Sequence, residues 1–151
     1  MMRKMIQILA LTVVLLALGT RASVYATNRA DHENSGVAVE TGEFHGKVHK
    51  TSGRATIYQA KDGKLILRLT HFATSNGPNL HVVLVAAADA DDDDNFLKTN
   101  TERVDLGALK GNQGDQNYEV PAGTDLGKFK TVSIFCERFN ANFGAAPLQK
   151  L

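Results

Sequence analysis

RATIYQAKDGKLILRLTHF, residues 54–72, holds two β-rich runs joined by Asp62-Gly63. Asp-Gly between alternating apolar residues is the strongest short-range hairpin signal, because a two-residue type I′ turn needs positive φ at both central positions. Ideal pairing about that turn sets Ala60 opposite Leu65 and Tyr58 opposite Leu67. It places Leu65, Leu67 and Leu69 on one face, since side chains alternate along a strand.

The same texture extends in both directions. Upstream, Gly42 to Lys50 alternates Phe44, Gly46 and Val48 against His45, Lys47 and His49, which predicts one half-buried strand. Downstream, Asn76-Gly77-Pro78-Asn79 is a turn, and Leu80 to Ala87 is nearly continuous apolar sequence, the pattern of a strand covered on both faces. Asp89 to Asn95, DADDDDN, reads as a solvated loop. Further strands are predicted at Arg103–Leu109, Asn117–Val120, Thr131–Arg138 and Phe139–Leu148, with one helical turn at Asp125–Lys128. About eight short strands punctuated by Gly, Pro, Asn and Asp predict an all-β fold, an antiparallel β-sandwich or flattened barrel.

The N-terminus has a different character. Met1 to Gln7 carries Arg3 and Lys4 and no acid, Ile8 to Gly19 is apolar apart from one Thr, and Val24-Tyr25-Ala26 fits a small-x-small cleavage site. This layout predicts a secretory signal peptide over residues 1–26. A flexible leader over 27–41 and a single domain over 42–151 follow it. The apolar run falls short of the roughly 20 residues that span a bilayer, so no stable membrane span is expected after cleavage. The expected location is secreted or periplasmic. A net charge of +1 with scattered Lys and Arg gives no basic stripe, which excludes nucleic acid as a partner. The chain has no Gly-x-Ser-x-Gly or His-Glu-x-x-His motif, and a non-enzymatic module is expected.

Cys136 is the only cysteine, so no internal disulfide forms. Alternation sets it with Val132 and Ile134 on the inward face. It is then either a small buried hydrophobe or a redox-active or ligating thiolate. Arg138, two residues on, shares its face if the strand continues, and a nearby cation favours the thiolate. His45 and His49 lie four apart, about 13 Å along a strand, too far to share one metal ion. Any metal site must be assembled from different strands, and His49 and His81 are its candidates. No His or Met follows Cys136, unlike a blue-copper loop, and a lone Cys cannot form the haem-attachment motif C-x-x-C-H. Asp89, Asp91 and Asp93 alternate as in a calcium loop. The sixth position is Asp94 rather than Gly, and the twelfth is Asn100 rather than Glu, which favours a plain charged loop.

Several segments together resemble the DM-thirteen domain family, a small extracytoplasmic electron-transfer domain. They are Gly42-Glu43-Phe44, His49-x-x-x-Gly53-x-Ala55-x-Ile57-Tyr58, and Asp62-Gly63 with Leu65, Leu67, Leu69 and Phe72. Gly77-Pro78-Asn79-Leu80-His81-Val82 and Leu106-Gly107-x-Leu109-Lys110-Gly111-Asn112-x-Gly114-Asp115-Gln116-x-Tyr118 follow. The closing segment is Val132-x-Ile134-x-Cys136-x-x-Phe139-x-x-x-Phe143-Gly144-x-Ala146-x-Leu148. The resemblance implies that Cys136 is the redox centre, either bare or through a bound group. A bare thiol in that role needs a polar neighbour that lowers its pKa, and His49 and Arg138 are the candidates. The resemblance leaves the cofactor open between none, haem and a metal. It also implies a separate redox protein as electron partner, because no cytochrome segment accompanies the domain. The competing reading is a ligand- or protein-binding extracytoplasmic domain with a structural cysteine.

Overall fold

The computed structural model describes residues 36–90 and 101–151. The segment read as a signal peptide, the first part of the leader and Asp91 to Asn95 lie outside the described residues. The described residues form ten strands: β1 Val37–Glu43, β2 His45–Gly46, β3 Ser52–Gln59, β4 Leu65–Ala73, β5 Leu80–Val85, β6 Arg103–Ala108, β7 Gln116–Val120, β8 Thr131–Cys136, β9 Ala141–Pro147 and β10 Gln149–Lys150. They form two antiparallel five-stranded sheets, ordered β10-β1-β3-β4-β7 and β2-β9-β8-β5-β6. The fold is therefore the expected all-β sandwich.

Alternation builds the core. Ile57 of β3, Leu67 and Leu69 of β4, Val82 and Leu84 of β5, and Val132 and Ile134 of β8 are all fully buried in one cluster. Each such side chain contributes about 1.5–3 kcal/mol by leaving water. The outer face of β5 and β8 is buried as well. Val83, Val85, Phe135 and Ala145 form a second cluster with Ala90, which follows β5. Asn142 is fully buried there; its Nδ2 donates to the Ala90 carbonyl at 2.7 Å and its Oδ1 accepts from Ser133 Oγ at 2.9 Å. Thr131 Oγ1 donates to the Ala87 carbonyl at 2.8 Å. The continuous apolar run at 80–87 thus has the two covers that its composition predicts.

Three sequence expectations need correction. First, β1 begins at Val37, so residues 37–41 belong to the sheet rather than to a flexible leader; β1 pairs with β3 along its length and with β10 at Glu40 and Thr41. Second, Gly42 to Lys50 is not one strand. The chain leaves the first sheet after Glu43 and joins the second at His45, turning the corner at Phe44. Phe44 is buried at the corner, its ring edge-on to Phe72 at 5.4 Å, and its N–H donates to the Gly53 carbonyl. Val48, beyond the corner, is 48% exposed.

Third, the hairpin register is shifted by one. Ile57 pairs with Leu67 and Tyr58 with Ile66. Gly63 N–H donates to the Ala60 carbonyl, Ala60 N–H donates to the Lys64 carbonyl, and only Gly63 in this turn has positive φ, at 83°. That is a three-residue loop with a left-handed glycine after an ordinary turn, not the two-residue mirror-image turn. Gly63→Val is expected to lower stability by about 1–2 kcal/mol, the cost of left-handed backbone for a side chain. Open space surrounds the site, so this backbone cost stands alone. An unchanged thermal midpoint would refute it.

Candidate functional site

Cys136 ends β8, facing inward beside Val132 and Ile134. Its relative exposure is 0%, and its Cα partners are Leu80 of β5 and Ala141 of β9. The thiol donates to the Pro78 carbonyl at 3.0 Å. The turn that carries Pro78 is held across the end of β8, because Glu137 N–H donates to the Asn79 carbonyl at 3.2 Å. Gly77 lies flush on the core: a Cβ there would sit 2.7 Å from Phe143 Cζ and 3.0 Å from Leu80 Cδ2. The Gly77–Asn79 segment therefore caps the sulfur.

The two side chains expected beside the thiol have aromatic partners. The His49 ring lies 4.0 Å from the Phe143 ring, and the Arg138 guanidinium lies 6.0 Å over the exposed Phe139 ring. Arg138 would share the face of Cys136 only if β8 continued, but the strand ends at Cys136 and residues 137–140 form a turn, with Asn140 at φ 52°. His49 connects to the thiol region through Phe143, which packs on Gly77. The polar atom at the sulfur is thus a backbone carbonyl. A thiol enclosed in this way does not fit as the axial ligand of a haem, which needs an open approach to the sulfur.

The histidines sort differently from their sequence spacing. His45 Nε2 and Lys47 Nζ contact the two carboxylate oxygens of Asp89 at 3.1 and 3.2 Å. Asp89 therefore fastens the segment after β5 to β2. His81 comes together with Asp105 and Glu137, one ligand atom from each lying within 4.8 Å of the others, whereas His49 stands outside that group. Sequence reasoning missed Asp105 and Glu137, since they reach His81 only through the pairing of β6 and β8 with β5.

The family model described as "Electron transfer DM13" matches residues 43–148, more than two-thirds of the chain. No curated protein and no solved structure matches the chain. The matched segment contains Cys136, the capping turn at 77–79 and every strand from β2 to β9.

Proposed function

The chain belongs to the electron transfer DM13 family, and from that membership we propose that it is an exported, non-enzymatic electron-transfer module with Cys136 as its redox group. The observation that carries this reading is the single cysteine, inside the matched segment, with its S–H aimed at one polar atom, the Pro78 carbonyl. In the one-electron step the S–H bond breaks, the electron passes to an oxidising redox protein outside the cytoplasm, and the proton passes to water. Reduction reverses both transfers. The sandwich supplies a rigid, dry setting for the sulfur, so little rearranges around it except the cap. Movement of the 77–79 segment is the way for the proton to leave.

The full burial of Cys136 among Val132, Ile134 and Leu80 favours a second reading, a binding domain whose cysteine only packs. Cys136→Ser separates the two. The variant is expected to keep the sheet spectrum of the parent and to lose electron exchange with an electrode or redox dye. A folded Cys136→Ser protein that exchanges electrons at the parent rate would remove the thiol from the mechanism and leave the packing role.

A further inference from the structure

We propose that His81, Asn79 and Glu137 form a binding site for a divalent transition-metal ion, with Asp105 as the carboxylate that orients the imidazole. The site lies on the outer side of the second sheet; it shares Asn79 with the cap over the thiol but not the sulfur itself, and does not depend on the electron-transfer reading. Its parts come from three places in the chain: the turn before β5 with the first residues of β5, the middle of β6, and the residue after β8. A register shift in the β5–β6 pairing, between Val82 and Val83, sets Asp105 opposite Val83. Val83 shares the outward face with His81, so the shift brings the carboxylate diagonally to the imidazole.

The hydrogen bonds fix which atom faces which. Asp105 Oδ1 accepts from Gly107 N–H at 2.7 Å, and its Oδ2 lies 2.9 Å from His81 Nδ1. A carboxylate has no proton to give, so Nδ1 carries the hydrogen and donates it. With the Nδ1 hydrogen held there, Nε2 is the nitrogen that can give its lone pair to a metal ion once its own proton leaves, the arrangement of a metal-binding histidine held by an outer carboxylate. On the other side, Asn79 Nδ2 donates to Glu137 Oε2 at 2.9 Å, which fixes the amide so that Asn79 Oδ1 faces His81 Nε2 at 3.3 Å. Glu137 Oε2 is itself 3.9 Å from Nε2, too long for a hydrogen bond.

Nε2 therefore faces two oxygens, Asn79 Oδ1 and Glu137 Oε2; the amide oxygen only accepts, so Nε2 donates to it here, and a metal ion that binds displaces that proton. A metal ion at that point takes the place of the Nε2 proton and meets the same two oxygens. Two ligands each about 2.0–2.2 Å from a tetrahedral zinc-like ion stand roughly 3.4 Å apart, so the exposed Glu137 side chain closes its 3.9 Å separation by about half an ångström on binding. One imidazole nitrogen with two oxygens suits a borderline ion such as Zn²⁺ or Cu²⁺, whereas Ca²⁺ and Mg²⁺ take all-oxygen shells. Asp105 and Glu137 are exposed, so water completes the coordination.

The test is calorimetric titration of the purified protein with Zn²⁺ and, separately, Cu²⁺. One ion per chain is expected. Affinity is expected to fall at least tenfold in His81→Ala and in Glu137→Gln, and about 10–100-fold in Asp105→Asn, the usual effect of losing an orienting carboxylate. Binding should be unchanged in His45→Ala and in Cys136→Ser, which also distinguishes this site from a thiolate site. All four altered residues other than Cys136 lie at the surface or its edge, and circular dichroism checks that each variant is folded. No binding by the parent protein would mean that a proton on Nε2 alone balances the cluster, and would overturn the proposal. So would binding that survives His81→Ala, or that is lost in His45→Ala or Cys136→Ser.

Discussion

Gly53→Val is expected to remove a large share of the stability of the domain, lowering it by about 2–5 kcal/mol when left-handed strain and overpacking combine. Gly53 has φ 112°, and a Cβ built there would stand 2.7 Å from Phe72 Cα, 2.8 Å from the Thr70 oxygen and 2.9 Å from the His71 oxygen. All three are backbone atoms of β4, and no rotamer change moves them aside. The cause is a bulge in the β3–β4 ladder between Ser52 and Arg54, where the two strands press together. His71, in the same stretch of β4, is itself left-handed at φ 49°, and its N–H donates to Asp115 Oδ1 at 2.9 Å. That backbone bond, with Arg68 beside it, holds the Asp115 carboxyl below the usual carboxylate range. A typical domain has only about 5–15 kcal/mol in total. The urea midpoint of Gly53→Val should therefore drop far more than that of Gly63→Val, where the added side chain meets open space. Equal midpoints for the two variants would show that the bulge yields freely.

Asn142→Leu is expected to cost about 2–6 kcal/mol, from two buried groups left without partners at about 1–3 kcal/mol each. The two side chains have similar size, so the loss is not mainly one of volume. Ser133 Oγ loses its acceptor and the Ala90 carbonyl loses its donor, both on the covered outer face of β8 and β9. The segment after β5 would then rest on Thr131 at Ala87 and on the half-buried contacts of Asp89 with His45 and Lys47. Limited proteolysis should cut near Ala90 well below the melting temperature in the variant and not in the parent. A parent-like melt together with parent-like resistance would sink this account of the cover.

These two sites also show where the sequence was legible. The run at 80–87 announced a central strand because both of its faces are apolar, and in the run from Thr131 the inward set of Val132, Ile134 and Cys136 followed from period-two alternation alone. The corner at Phe44 was not legible, since apolar alternation carries on through a change of sheet. The start of β1 was hidden for another reason: its two buried positions are Glu40 and Gly42, not large apolar residues, and Val39 packs on the core only partly buried. Burial pushes the Glu40 carboxyl above its usual range, against the pull of Lys150 and Lys130, and no sequence pattern advertises such a position. At the sulfur, the inward direction was readable, but the Pro78 carbonyl was not, because 58 residues separate donor and acceptor. The grouping of His81 with Asp105 and Glu137 likewise depends on strand order and a register shift, neither of which residue spacing encodes.

The pairing of β10 with β1 fixes how the domain would respond to load. Glu40 pairs with Lys150 and Thr41 with Gln149, and Leu151 N–H donates to the Val39 carbonyl, so the carboxyl end of the chain lies beside the beginning of β1. Tension between Val37 and Leu151 would pull those neighbouring ends apart from the same side. The ladder between them would open like a zipper, one pair at a time, instead of resisting in shear with all its bonds at once. The first element released would be the two-residue β10, at the edge of its sheet, while the strands that enclose Cys136 stay in place.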